Sequence, residues 1–262
     1  MAFSFGKNWL SFSETALDET KVASARKAFH SLTRGIEMKN ARFLDIGFGQ
    51  GLALFFAAEM GAEVYGIDVD PICMEALQQT QRFFPQIALP RTELASILDD
   101  DFVSDQKMKG EFDVVHSWGA LHHSGDMLKA FRNAAALVTK DGFLIISIYN
   151  KHWTSPFWRA AKFVFNHVPR FLQESLVLML YPGFYLRARS LSRGDHSLTS
   201  RGMDLRHDIR DWLGGYPYEF SSPIEVQEHL VELGFHPVRC LPTKGFTGCN
   251  EFIFQRAVRQ SA

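Results

Sequence analysis

The segment Phe43-Leu44-Asp45-Ile46-Gly47-Phe48-Gly49-Gln50-Gly51 constrains this chain more than any other. An apolar run leads into three glycines at alternate positions and then into an apolar stretch, Leu52 to Ala57, that reads as a helix. Strand, glycine turn and helix together open an α/β sheet of the kind that binds nucleotide-like ligands. Glycine lets the backbone turn sharply and approach a ligand closely. Position 52 is leucine, so the dinucleotide spacing G-x-G-x-x-G is absent. Asp45 stands two residues before Gly47, where a carboxylate can hold a ligand's amino group. Asp68 closes Gly66-Ile67-Asp68, where an acid at a strand end meets a ribose diol.

The rest of residues 41–148 keeps the same alternation of short apolar runs and longer amphipathic ones, the pattern of a parallel sheet with helical crossovers. Strands are expected at Ala41–Ile46, Glu63–Ile67, Thr92–Ala95, Phe112–His116 and Phe143–Ile148, the last after a tight Asp141-Gly142 turn. Helices are expected over Gly51–Met60, from Asp70-Pro71 onward, and over Met127–Val138. Pro223–Leu233 reads as a helix closed by Gly234. Phe235–Leu241 and Asn250–Arg256 follow, so closely spaced that they must pair antiparallel. A single α/β domain accounts for this: an N-terminal helical lid (1–40), a core (41–148), an insertion (149–222) and a terminal helix and hairpin (223–262). The insertion carries Trp153, Phe157, Trp158, Phe163, Phe165 and Phe171 and reads as a helical cap over the strand C-termini, where open sheets bind ligands. The plainer account is a cap that only completes the core.

The chain has 262 residues, 46% hydrophobic and 22% charged, with a net charge of −1. That suits one large core and argues against a sequence-independent nucleic-acid binder. Cys73, Cys240 and Cys249 show neither metal-ligand spacing nor a disulfide framework. Met1 to Phe12 lacks a basic start followed by an apolar core. Leu176 to Tyr181, broken by Pro182-Gly183, falls far short of the roughly 20 residues of a spanning helix. The resulting expectation is a cytoplasmic protein.

Leu44-Asp45-Ile46-Gly47-x-Gly49-x-Gly51 resembles the first motif of class I S-adenosylmethionine (SAM)-dependent methyltransferases, with Phe48 standing where that family often has cysteine. Phe112 to His123 resembles the family's fourth-strand motif, and Ser96-Ile97-Leu98-Asp99 falls at its adenine-contacting loop. The resemblance covers about residues 41–148 and implies a Rossmann-like fold of seven strands, five parallel plus a C-terminal antiparallel hairpin. It implies SAM as cofactor, held by Asp45, Gly47, Phe48 and Gly49 at the loop, and by Asp68 and Val69 at the second strand. Leu98, Asp99 and Ser117 complete that set. Phe5 to Trp9, Leu121 to Met127, Ile148-Tyr149-Asn150, Arg206-His207-Asp208 to Tyr218-Glu219 and Gly248 to Phe252 resemble a bacterial subgroup of quinone-type or generic small-molecule methyltransferases.

Methyl transfer is an in-line displacement that chiefly needs alignment, with a base where the acceptor is a hydroxyl or a protonated amine. His122 and His123 follow the fourth strand and suit a base or a substrate contact; alternatively they brace the loop into the next helix, with Asp126 as its cap. His207 and Asp208 form a second catalytic candidate, with Asp211 one turn on to orient His207; a solvated helix end is the alternative. Tyr216 lies in a turn that can face substrate, Trp9 can close over the cofactor, and Asn250 can point into the acceptor pocket or merely satisfy the hairpin. No metal-ligand spacing accompanies them. The acceptor implied is a small molecule, methylated on an oxygen of a quinone, lipid-linked or saccharide compound. The alternatives are SAM chemistry other than methyl transfer, or SAM binding without catalysis. The fourth-strand end lacks the Asn/Asp-Pro-Pro-Tyr arrangement of many nucleic-acid amino methyltransferases. Phe163 to Tyr185, with Arg170, Arg187 and Arg189, allows peripheral membrane contact; a buried cap or a homodimer interface is the plainer reading.

Overall fold

The computed structural model describes residues 4–191, 204–243 and 248–257. The side chains of residues 187, 188, 190 and 191, Arg187 among them, lie outside that description, as do residues 244–247 of the C-terminal hairpin.

Seven strands form one sheet in the order β3-β2-β1-β4-β5-β7-β6. β1 (Arg42–Ile46), β2 (Glu63–Asp68), β3 (Arg91–Leu94), β4 (Phe112–Trp118) and β5 (Val138–Tyr149) run parallel. β7 (Cys249–Arg256) runs antiparallel to both β5 and β6 (Phe235–Leu241). Period-2 alternation sends successive side chains to opposite faces, so the sheet carries two cores. On one face Leu44, Val115, Leu144, Ile146, Phe252 and Phe254 meet α5 (Asp100–Lys109), α6 (Met127–Ala136) and α10 (Pro223–Glu232). On the other, Phe43, Val114, Ile145 and Ile253 meet α1 (Phe5–Thr15), α2 (Glu19–Leu32), α3 (Leu52–Glu59) and α4 (Ile72–Thr80). Each buried Phe or Leu contributes about 1.5–3 kcal/mol through removal from water.

Turn chemistry sets the boundaries. Asp126 caps α6 by accepting from the Lys129 amide at 3.0 Å. Ser222 and Glu225 form a reciprocal capping box at α10, with Pro223 at its first position. The Asp141-Gly142 turn lies inside β5, which makes a bulge there and continues, with Asp141 at φ 61°.

The insertion is helical: α7 (Ser155–His167), α8 (Arg170–Leu191) and α9 (Leu205–Gly214), packed around Phe165, Val177, Leu205, Ile209 and Leu213. Pro182-Gly183 ends the apolar run, and α8 itself continues through it. Pro182, which has no amide to bond one turn back, sits on the exposed side of α8. No described helix is long and apolar enough to cross a membrane.

Candidate functional site

The carboxyl ends of β1, β2, β4 and β5 converge where the strand order reverses between β1 and β4, the place where open α/β sheets bind ligands. Gly47, Gly49 and Gly51 have φ values of 73°, 57° and 80°, a region that favours glycine. A Cβ on Gly49 would lie 2.9 Å from the Trp9 Nε1, so α1 closes directly onto the loop. Asp68 is buried, and its Oδ2 accepts from the Gly49 amide at 3.0 Å while its Oδ1 accepts from the Asp70 amide at 3.0 Å. The Cys73 thiol also donates to this carboxylate, whose roughly four lone-pair directions still leave room for a diol. Burial raises the Asp68 pKa. Val69, next in line, is 68% exposed and offers an apolar surface beside the carboxylate.

The remaining cofactor candidates are held as follows. Asp45 is buried, and its Oδ1 accepts from His116 Nδ1 at 2.7 Å, with the imidazole stacked between Phe43 and Trp118. Phe48 turns its ring into the core and leaves only its backbone to the loop. Ser117 donates to the Ile46 carbonyl at 2.9 Å, which pins β4 to β1. Asp99 caps α5 through Oδ1 and is exposed, and Leu98 is half-buried beside it.

The acceptor-side candidates separate. His122 is buried on a 3₁₀ turn, its ring 4.2 Å from that of Tyr149, and its Nδ1 has no hydrogen-bond partner. Burial, then the neighbouring His123 and Lys162, lower its pKa well below the usual histidine value, so it is neutral. His123 donates from Nδ1 to the Pro217 carbonyl at 2.5 Å and packs against Gly215, which makes it a brace for the 215–218 loop. Burial takes its pKa down to about 3. Glu219 reinforces that brace by accepting from the Gly125 and Met127 amides. Tyr216 is half-buried against Phe163.

His207 corrects the sequence expectation. Its Nδ1 pairs with Asp204 at 2.9 Å and its Nε2 with Ser11 at 3.2 Å, so Asp204, the α9 cap, orients it instead of Asp211. It lines a surface groove with Ser11, Thr15, Arg206 and Arg210. Asp208 is exposed on α9. Asn250 is buried with both amide ends engaged: Oδ1 accepts from the Thr243 amide and Nδ2 donates to Asn150 Oδ1, each at 3.0 Å. It ties β5 to the hairpin, so among the two readings its hydrogen bonds follow the hairpin one.

Sequence reasoning missed Lys162. This lysine is fully buried on α7, and its ammonium donates to the Trp212 carbonyl. It lies 4.8 Å from the centre of Tyr218, 4.9 Å from Trp212 and 5.1 Å from Tyr149, a three-sided aromatic cage. Burial brings its pKa down to about 7, against the upward pull of Asp211. Burial and the Asp208 charge push Asp211 up to about 7, with Lys162 pulling the other way. Asn8 donates to Asp211 Oδ1 at 3.5 Å and to the His207 carbonyl at 3.2 Å, and its own Oδ1 is buried without a partner. Ser147 Oγ is buried without a partner too. The signal for Lys162 was spacing: it shares a helix face with Ser155 and Phe165, both buried.

Neighbouring residues of α1 thus touch both halves: Trp9 meets the glycine loop and Asn8 meets Asp211. Positive-φ glycines, an acid with spare lone pairs and an exposed apolar side chain beside it fit a nucleoside-bearing cofactor. The unpartnered Asn8, His122 and Ser147 atoms fit a polar ligand next to it. Among the described residues no three His, Cys, Asp or Glu side chains converge as a metal site would require.

Comparison with known proteins places this geometry. A family model described as a methyltransferase domain matches residues 19–194. A ubiquinone biosynthesis O-methyltransferase from Albidiferax ferrireducens is 31% identical over 134 residues, 50% of this chain and 51% of that one, so the match spans about half the relative's length. Its counterpart in Coxiella burnetii is 25% identical over 169 residues, 61% of this chain and 69% of that one. The crystal structure of magnesium protoporphyrin IX methyltransferase from Synechocystis PCC 6803, with bound SAM, has a TM-score of 0.52 at 14% identity, covers 90% of this chain and 81% of that one, and shares its fold. The chain belongs to the methyltransferase-domain family and carries its class I fold.

Proposed function

We propose that this protein transfers a methyl group from SAM to an oxygen of a small-molecule acceptor, with quinols ahead of other lipid-linked compounds and of saccharides. The observation that carries this reading is the juxtaposition, across α1, of the Trp9-covered glycine loop, the half-buried Asp211 and the buried Lys162 in its aromatic walls. SAM, when bound, supplies an electrophilic methyl group. Gly47, Gly49, Asp68 and Val69 would hold it, with Leu98 and Asp99 toward the adenine and Trp9 as cover.

The chain's own residues then align the acceptor and manage its proton. Tyr149, Tyr218 and Trp212 present ring faces and edges suited to a flat aromatic ring. His122, neutral and with an unpartnered Nδ1, orients a hydroxyl. Lys162 Nζ, with its amine and ammonium forms comparably populated near neutrality, accepts the hydroxyl proton. The relatives named as ubiquinone O-methyltransferases support the quinol class. His207 and Asp208 lie toward the surface groove and enter this reading as support for α9, not as the base.

Methyl-labelled SAM offered with dihydroxybenzenes, with and without prenyl tails, and with saccharides tests it. Label in the dihydroxybenzene fraction is expected. Label in the saccharide alone would replace the acceptor class, and bound SAM with no label in any acceptor would favour a non-catalytic role.

A further inference from the structure

The cap helices are apolar on two opposite sides. On α8 the inner side, Val177 with Leu176, Leu180 and Phe184, packs against α9. The outer side carries Phe171, Leu178, Met179, Pro182 and Leu186 at spacings of one, two and three turns, and each is exposed: Phe171 and Met179 at 68%, Leu178 at 59% and Leu186 at 66%. α7 repeats this division, with Lys162 and Phe165 inward and Phe157 and Val164 outward. Trp153, just before α7, is 83% exposed. A solvent-facing helix normally shows charges there; the stripe, interrupted after Phe171 by the exposed Ser175, is apolar from Leu178 to Leu186 and marks an interaction surface.

Charge selects the occupant. Residues 151–191 contain six lysines and arginines and one acid, Glu174. Lys162 is buried and Lys151 pairs with Glu225, and the other described basic side chains, Arg159, Arg170 and Arg189, are exposed. Glu174 is ion-paired with Arg206 and Arg210. Arg170 and Arg189 stand exposed at the two ends of the stripe. A second copy of this chain, docked by two-fold symmetry, would set the same basic residues against each other across the contact. An anionic bilayer surface pairs with both features at once, its headgroups with the arginines and its acyl boundary with the apolar stripe.

We infer that the outer face of α7 and α8 docks on an anionic membrane surface. This goes beyond the methyl-transfer reading and needs neither SAM nor acceptor to be tested.

Flotation of the purified full chain with phosphatidylcholine vesicles, with and without phosphatidylglycerol, measures it directly. Binding to the anionic vesicles is expected, at least about tenfold stronger than to neutral ones and reduced by added salt. Phe171→Ser combined with Leu186→Ser should weaken it by about tenfold or more at unchanged thermal stability, because both side chains are solvent-exposed. Arg170→Glu, which leaves the apolar stripe intact, should remove the preference for anionic lipid. Absence of vesicle binding by the wild type, or equal binding by the serine variant, overturns the proposal. A concentration-dependent dimer in sedimentation velocity that the serine variant abolishes, without vesicle binding, overturns it too and assigns the face to a second copy.

Discussion

Lys162 and Asp211 bear opposite consequences of the same burial. Lys162 loses its proton more readily when folded, so the unfolded chain binds more protons between pH 7 and 10.5, and this residue adds a rising slope of stability with pH there. Asp211 holds its proton more tightly when folded, so stability falls as pH rises from 3.8 to 7. Above pH 7 the cost of the buried carboxylate is fully present, while the lysine that would offset it is largely neutral. Asp211→Asn should therefore raise stability at pH 8, on the order of 2 kcal/mol, and leave it nearly unchanged at pH 4. Thermal melts at the two pH values check this; an equal change at both would remove the assigned titration. Lys162→Met keeps the length and apolar stem of the side chain and removes the amine. It should lower turnover by about 100-fold or more with SAM affinity unchanged, and flatten the rate profile around neutral pH. Loss of SAM affinity in step with turnover would mean that Lys162 only supports the fold.

At the scale of elements, the strands that were legible are those with clean punctuation. β1, β2, β4 and β6 fall within one or two residues of their apolar runs, because glycine, proline or charge closes each one. β3 was faint because Arg91-Thr92-Glu93-Leu94 lies at the sheet edge, where pairing and not burial defines the strand. α5 has no counterpart in the apolar pattern, since Phe102 and Val103 are its only buried apolar side chains and the Asp99 cap starts it. α8 runs on through Pro182 because its length comes from packing on α9. The turn of the glycine loop was readable because its glycines sit within five consecutive residues. The Lys162 cage was not, because it joins β5, α7, α9 and the 215–218 loop, a meeting that only the tertiary fold makes. The His207 partner was missed for a related reason: Asp204 caps the helix from outside the i, i+4 pattern. Ser222→Ala, which removes one half of the α10 capping box, should cost about 1 kcal/mol by chemical denaturation with little effect on SAM binding.

Taken whole, the molecule sets three layers in order from the sheet outward. The switch point between β1 and β4 presents the glycine loop and Asp68. α1 covers it and links it through Asn8 to Asp211. The cap closes the acceptor side and turns an apolar, basic face outward. The methyl-transfer reading depends on the first layer holding SAM, which calorimetry of the purified chain tests directly. One SAM per chain is expected, with affinity about tenfold weaker or more in Asp68→Ala and no heat from NAD. No SAM binding by the wild type, or equal affinity in Asp68→Ala, would contradict the account.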